Sequence, residues 1–342
     1  MKRRFLLLIS FLTVTISAAN AQDHIYSQFF NSPVYLNPAL TGQFEGDLRM
    51  NMIYRQQYSA VGNLNYLTAS VDYNLPRTGG GVGLMFNRSN EGTAYFVQNS
   101  VAGTYAYSIG SDSYVLSFGL QAGIANRSVD YSKLVFADQI DPSSGYIPGS
   151  ATSAEAPVFN NRYYFDAGAG VNLVMGNFMA GGALQHINQP NQSFTGTPSP
   201  LPMRATVHLS YKLDLNPYDN YDESEKSYII PSVVYYKQAN AATMSAGMQY
   251  KRRAVSAGLW YRTDGQGAPN AVVLSFVFDL FVHKDTGEKF RFGLSHDASV
   301  SKIGYSNTSG TSEGSLGYET SIPNRDNSYN KFEGSTRCYS FY

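Results

Sequence analysis

Apolar and polar residues alternate one for one along stretch after stretch of this chain. A period of two calls for strands that turn one face to a greasy phase and the other away from it, and it leaves no room for a helical fold. In "MRATVHLSYKL", Met203, Ala205, Val207, Leu209, Tyr211 and Leu213 alternate with Arg204, Thr206, His208, Ser210 and Lys212. "YVLSFGLQAGIAN" sets Tyr114, Leu116, Phe118, Leu120, Ala122 and Ile124 against Ser117, Gly119, Gln121 and Gly123, and "YLTASVDYNL" sets Leu67, Ala69, Val71, Tyr73 and Leu75 against Thr68, Ser70, Asp72 and Asn74. Such runs predict strands near 47–59, 64–75, 79–88, 93–109, 113–129, 162–175, 177–187, 203–213, 227–238, 241–250, 253–263, 270–283, 288–298 and 313–321, about 14, an even number.

The residues opposite the apolar ones are mostly Gly, Ser, Ala, Thr, Asn and Gln. Only 15% of the chain is charged, whereas a soluble sandwich would show more Lys and Glu on its water face. The 27 Tyr and 20 Phe fit aromatic girdles at strand ends, and the expected fold is an all-β transmembrane antiparallel barrel with small residues inside. Closure also removes the exposed sheet edges that would pair with other chains. Several connections are tight, such as 175–177 and 251–253, while three are long, 130–161, 188–202 and 214–226. Short turns on one side and longer loops on the other is the pattern of an outer-membrane barrel. The acidic "NPYDNYDESEKS" lacks the fixed spacing and Gly of a calcium loop and reads as a solvated tip.

Lys2, Arg3 and Arg4 precede an apolar run from Phe5 to Ile16, and Ala19-Asn20-Ala21 supplies a small-x-small cleavage step. Residues 1–21 are therefore expected to be a signal peptide removed on export, with no Cys at the cut to mark a lipoprotein. Losing those three positive charges takes 25 basic against 25 acidic residues to a net charge of about −3, with no basic tract for nucleic acid. The single cysteine, Cys338, makes no internal disulfide. Downstream of the leader no apolar run reaches the length of a spanning helix.

Residues 22–46 behave differently. "IYSQFFNSPVYLNPALTG", 25–42, neither alternates nor repeats at helical spacing, and Pro33 and Pro38 exclude a central barrel strand. The stretch precedes the first strand, so it is expected to start on the periplasmic side. Two placements fit: a plug in the barrel mouth or lumen, with Tyr26, Phe29, Phe30, Tyr35 and Leu36 against small inward residues such as those of 177–187, or an arm across the barrel's base. Irregular backbone at membrane depth is tolerated where protein surrounds it. Pro38 restricts Asn37 to extended conformations, the Asn37 side chain can bond nearby backbone, and Gly42 is free to take positive φ.

No enzyme constellation emerges. His24, His186, His208, His283 and His296 are scattered with no HExxH, there is no GxSxG, and "GGGVG" at 79–83 opens a strand rather than a helix. His208 and His296 are the pair that a wall-assembled catalytic site would use. No catalytic, cofactor-binding or metal-binding residue is assigned, and no cofactor.

The opening stretch resembles the start of mature chains in the PorP/SprF family of outer-membrane type IX secretion proteins of Bacteroidetes, through Ser27, Gln28, Phe29, Asn37, Pro38, Ala39 and Gly42. "FADQIDP" at 136–142 and "GLWYRTDGQGAPNAVVLSF" at 258–276 resemble two further family blocks. The ending "RCYSFY" departs from the family's tail at Tyr339 and Ser340. The resemblance implies a non-enzymatic barrel, residues 47–342 with the tail, that assists export or surface anchoring of a large secreted protein, often a gliding-motility adhesin, through that protein's C-terminal domain. It also implies contact with other type IX components. The signature set is then Tyr26, Ser27, Gln28, Phe29, Phe30, Asn37, Pro38, Ala39 and Gly42. Loop aromatics Tyr146, Phe159, Phe194 and Tyr218 are candidate partner contacts. The alternative is a channel for small hydrophobic solutes, since fatty-acid transporters share the strand number and an N-terminal hatch with an Asn-Pro-Ala step.

Overall fold

The computed structural model describes residues 23–62, 64–75, 79–92, 96–154, 157–216, 226–283, 288–322 and 341. The candidate leader, Tyr218 and Cys338 lie outside these residues. Fourteen long strands close into an antiparallel barrel: β1 (Leu48–Gln57), β2 (Leu64–Leu75), β3 (Gly80–Glu91), β4 (Phe96–Ser111), β5 (Tyr114–Ser128), β6 (Asn161–Met175), β7 (Phe178–Gln185), β8 (Arg204–Tyr211), β9 (Ser227–Gln238), β10 (Ala241–Arg252), β11 (Val255–Asp264), β12 (Pro269–His283), β13 (Glu288–Ser299) and β14 (Thr311–Thr320). Each strand pairs with its sequence neighbours, and the seam is sealed where β1 meets β14, Leu48 opposite Thr320 and Gln57 opposite Thr311. No backbone edge is left open, which a hydrocarbon environment requires.

The alternation read from sequence is the two-sidedness of this wall. Along β8, Arg204, Thr206, His208 and Ser210 are buried inward, while Val207, Leu209 and Tyr211 are exposed outward. Along β5, Ser117 and Gln121 are buried where Phe118, Leu120 and Ile124 stand outside. The outer surface is an apolar band of residues such as Leu84, Val101, Leu259, Leu274, Phe276 and Leu294. In a water-soluble protein that much exposed apolar surface would aggregate; on a barrel it is the face that lipid covers.

The connections fall into two rims. One carries 129–160, 186–203 and 300–310 among shorter ones and is called here the long-loop rim. The other carries 112–113, 176–177 and 253–254, the start of β1 and the end of β14, and is the short-turn rim. The connection expected over 214–226 does not join the other long ones. β8 runs from the long-loop rim to the short-turn rim, so the chain leaves it at the same end where β1 begins.

Candidate functional site: the filled lumen

Residues 23–47 thread the lumen. Apart from Asp23, His24, Ile25 and Pro33, which are partly buried, and Glu45, which is exposed, every residue from Tyr26 to Asp47 is buried. The direction corrects the sequence reading, which started the segment at the end where β1 begins. Asp23 instead sits at the far, long-loop end, where its amide donates to Gln238 Oε1 (2.7 Å) at the end of β9, and the chain descends to Asp47, whose amide donates to the Thr320 carbonyl (2.9 Å) beside the start of β1.

At the upper end, His186, the residue after β7, bridges two carboxylates, with Nε2 2.6 Å from Asp23 Oδ2 and Nδ1 2.8 Å from Asp166 Oδ1. Burial works against an imidazolium here, but Asp23 and Asp166 outweigh it and raise His186 to about 9. Burial likewise opposes the Asp23 charge, and His186 and Arg204 overcome it, holding that carboxyl well below its usual range. His24 stacks between Tyr66 and Tyr35, with centroids 4.3 and 5.1 Å away. Arg204 donates to the Tyr35 hydroxyl (2.7 Å), which donates to the His24 carbonyl (2.6 Å).

One turn further down, Ser27 and Gln28 meet a four-membered charge cluster. The Ser27 and Gln28 amides donate to the two carboxylate oxygens of Glu313 (2.8 and 2.9 Å). The Ser27 hydroxyl donates to Asp297 (2.7 Å) and accepts from Arg262 (2.5 Å) and Arg55 (3.1 Å). Arg55 pairs with Glu313, and Arg262 with Asp297 at 2.7 Å. Two guanidinium and two carboxylate groups cancel, so the cluster is tolerable at a depth where one bare charge would not be. Gln28 also donates to Ser295 (3.2 Å), and Asn31 donates to Ser315 (2.8 Å).

Phe29 and Phe30 meet the neighbouring wall of β9, β11 and β12 in a cluster with Trp260, Ile230, Val234, Val273, Val277 and Phe341, with Trp260 at centroid distances of 5.2 and 6.1 Å. Tyr26 and Tyr35 pack instead with Val34, Ile53 and Met85, and the Tyr26 hydroxyl is 2.8 Å from Thr68 Oγ1. The aromatics therefore sit among large side chains, not on the small residues of 177–187 as the sequence reading placed them. Aromatic rings need area to bury, which glycine does not offer.

Small residues of β5 and β6 receive the Asn37-Pro38-Ala39 turn. Pro33–Leu36 is a single helical turn and Pro38–Leu40 a 3-10 turn, joined at Asn37 with φ −158° and ψ 120°. The Asn37 side chain accepts from the Ala39 amide (2.9 Å) and donates to the Val171 carbonyl (2.9 Å), so it caps the turn and pins it to β6. A Cβ added at Gly119 would overlap the Ala39 backbone, and one at Gly170 would overlap the Asn37 carboxamide. Below, Gly42 takes φ +71° and donates to Asp72 (2.7 Å), while Arg49 grips Asp72 through two bonds (3.0 and 2.7 Å) and donates to the Leu40 carbonyl (3.2 Å).

The nine signature residues Tyr26 to Gly42 thus share one lumen. Their main partners Arg55, Asp297 and Glu313 were missed by the sequence reading; the available signal was a charged side chain at an inward position in strands otherwise lined by Ser, Gly and Thr. Arg262 and Trp260 were visible only as letters of "GLWYRTDG", and the structure brings that block onto the opening stretch: Trp260 meets Phe29 and Phe30, and Arg262 meets Ser27. His208 is buried in the lumen with Nε2 3.3 Å from Asn37 Nδ2, whereas His296 stands on the outer face beside Ser312 and Tyr305, so the two do not converge.

The "FADQIDP" block shapes the longest loop. Asp138 accepts from Thr152 and Ser153, and Asp141 from Ser143 and Ser144, bonds that hold the Asp141 carboxyl well below its usual range. Tyr146 and Phe159 are exposed on that loop. Phe194 is half-buried beside Phe96, with the Arg127 guanidinium 5.9 Å from its ring, and its carbonyl accepts from the Val158 and Phe159 amides. Among the described residues no group of three or more His, Cys, Asp or Glu is placed to hold a metal.

Among solved structures, the barrel is similar to a deletion mutant of the TodX monoaromatic hydrocarbon channel (12% identity, 85% of this chain and 94% of that one, TM-score 0.47) and to the Pseudomonas putida toluene transporter TodX (9%, 87% and 94%, 0.45). It is also similar to the beta domain of the Bordetella autotransporter BrkA (12%, 81% and 99%, 0.33). No curated protein matches the sequence significantly. The family model described as type IX secretion system membrane protein PorP/SprF matches residues 18–318, spanning the lumen segment and both distant blocks, and the chain belongs to that family of outer-membrane barrels.

Proposed function

We propose that this protein is a non-enzymatic outer-membrane component of a type IX secretion system that assists export or surface anchoring of a large secreted partner, whose C-terminal domain it meets at the long-loop rim. The observation that carries the reading, beside the family, is the filled lumen. Buried side chains on β1, β2, β4, β7, β8, β9, β11, β13 and β14 bind residues 23–47 directly, so the segment occupies the space that a solute path would need. In this reading the long-loop rim faces outward, residues 1–21 are a cleaved signal peptide, and residues 22–46 are a resident plug. Tyr146 and Phe159 offer the exposed aromatic surface for the partner, with Phe194 bracing the loops beneath it. Other type IX components meet the short-turn rim.

Affinity purification of the tagged protein from outer membranes in mild detergent, with mass spectrometry of what stays bound, tests the reading. Recovery of a large secreted protein through its C-terminal domain supports it; recovery of the barrel alone with co-purifying lipid favours a hydrophobic-solute channel. The plug has its own test. Deleting residues 22–46 should raise the ion conductance of the reconstituted barrel, and unchanged conductance would sink it.

A further inference from the structure

A cavity of about 70 Å³ lies between the start of the lumen segment and the wall formed by β3 to β8, and its lining includes Asp23, Glu91, Gln121, Tyr164, Asp166 and Gln185. Three of these side chains are more than nine-tenths buried and carry a polar atom with no hydrogen-bond partner: Gln121 Oε1, Tyr164 OH and Gln185 Oε1. Buried polar atoms are almost always paired, so three bare ones around one void mark a place built for something to bond there. The two amide oxygens only accept and the tyrosine hydroxyl can accept. Gln185 is oriented by its own Nε2, which donates to the Tyr35 carbonyl (3.2 Å), leaving Oε1 free.

Charge points the same way. The lining holds three carboxylates, Asp23, Glu91 and Asp166, against Arg204 and His186, a surplus of one negative charge. Asp23 and Asp166 are bound to His186, and Arg204 is engaged with Tyr35 and the His24 carbonyl, which leaves Glu91, the last residue of β3 at the long-loop rim, as the carboxylate without an ion pair among the described residues. The volume suits a few waters or the head of one side chain, and is too small for a sugar ring or nucleotide. An anion would face a lining with a surplus negative charge, and no metal-holding group of His, Cys, Asp or Glu is present among the described residues. A narrow group with one positive charge, several donors and no acceptor meets every requirement, and that description is a primary ammonium.

We propose that this cavity is a binding site for a primary ammonium group, presented from the long-loop side as a lysine side chain of the secreted partner. The second half rests on the function proposed above; the first does not. Glu91 supplies the countercharge, and Gln121, Tyr164 and Gln185 accept the N–H bonds.

The test uses the full chain in detergent and n-butylammonium, the end of a lysine side chain, read by saturation-transfer NMR with n-butanol as the neutral control. Saturation of the methylene next to nitrogen is expected for n-butylammonium and not for n-butanol. Binding should fall about tenfold in Glu91→Gln and in Gln121→Leu, the loss expected for one charge-assisted bond, and stay unchanged in Glu45→Gln on an exposed turn. Equal binding of n-butanol, or equal binding by Glu91→Gln and the unaltered chain, would overturn the site as a water-filled void. Recovery of a secreted partner undiminished by Glu91→Gln would overturn the lysine assignment while leaving the secretion reading in place. Butylammonium binding with no secreted partner recovered from the unaltered chain would do the reverse.

Discussion

The lumen segment is held in two ways by two arcs of the same wall. Toward β1 and β11 to β14, Ser27 and Gln28 are held by Arg55, Arg262, Asp297 and Glu313, charged groups with directional bonds. Toward β5 and β6, the Asn37-Pro38-Ala39 turn is held mainly by what is missing, the side chains of Gly119 and Gly170. One contact is selective because it is electrostatically demanding and the other because it is sterically tight. The contrast teaches that a fixed irregular segment needs both. The charge cluster alone sets where the chain is tied but not its path, and the glycine seat sets the path but carries little binding energy of its own.

If that division is real, the two attachments should fail separately. The largest effect is expected from Arg262→Ala, which leaves Asp297 buried with only Arg55 for a countercharge. Breaking a buried pair on one side typically costs about 3–5 kcal/mol. Amides of 27–31 should then exchange hydrogen far faster while those of 39–43 stay protected, as followed by hydrogen-exchange mass spectrometry. Gly119→Val should invert the pattern. Forcing a side chain into the Ala39 backbone costs about 1–3 kcal/mol if the turn moves away, so 37–42 should open while Ser27 and Gln28 remain tied. Loss of protection over the whole segment in both variants would show a single cooperative unit and break the comparison. Asn37→Ala is a milder probe of the same seat, about 1 kcal/mol for the lost cap, with proteolysis near the turn as the readout.

How much of this was legible beforehand follows the same division. All fourteen strands could be placed because a strand's inside and outside are written in adjacent residues, as in Val207 and His208. The turn chemistry of Asn37, Pro38 and Gly42 was local too. The charge cluster was not: Ser27 and Glu313 are 286 positions apart, and nothing near either names the other. The direction of threading was invisible for a related reason, since the tie of Asp23 to Gln238 spans 215 positions. The misplaced 214–226 connection was legible and was misjudged on length, because counting strands from β1 fixes which rim each connection leaves.

The smallest effect should come from the upper tie, where Asp23 meets His186. His186 titrates near 9 in the folded chain against an ordinary value of 6.5, so the stabilisation it provides is complete below about pH 6.5 and is lost as pH rises through about 9. Asp23 works in the other sense: its carboxyl is held below its ordinary 3.8, so its contribution is present above that value and disappears as pH falls beneath it. The tie is therefore intact across the neutral range and opens at both extremes. Only the first residues of the segment depend on it, and a partly exposed pair of this kind is worth on the order of 1 kcal/mol. Between pH 7 and 10, a spectroscopic label at position 23 is not usable, since it would remove the carboxylate; one at Ile25 should gain mobility with a midpoint near 9. In His186→Gln the same label should be loosened already at pH 7 and show no further change. A midpoint that survives that substitution would place the titrating group elsewhere, and mobility that spreads below Ser27 in the unaltered chain would mean the charge cluster is not the anchor that separates the two ends.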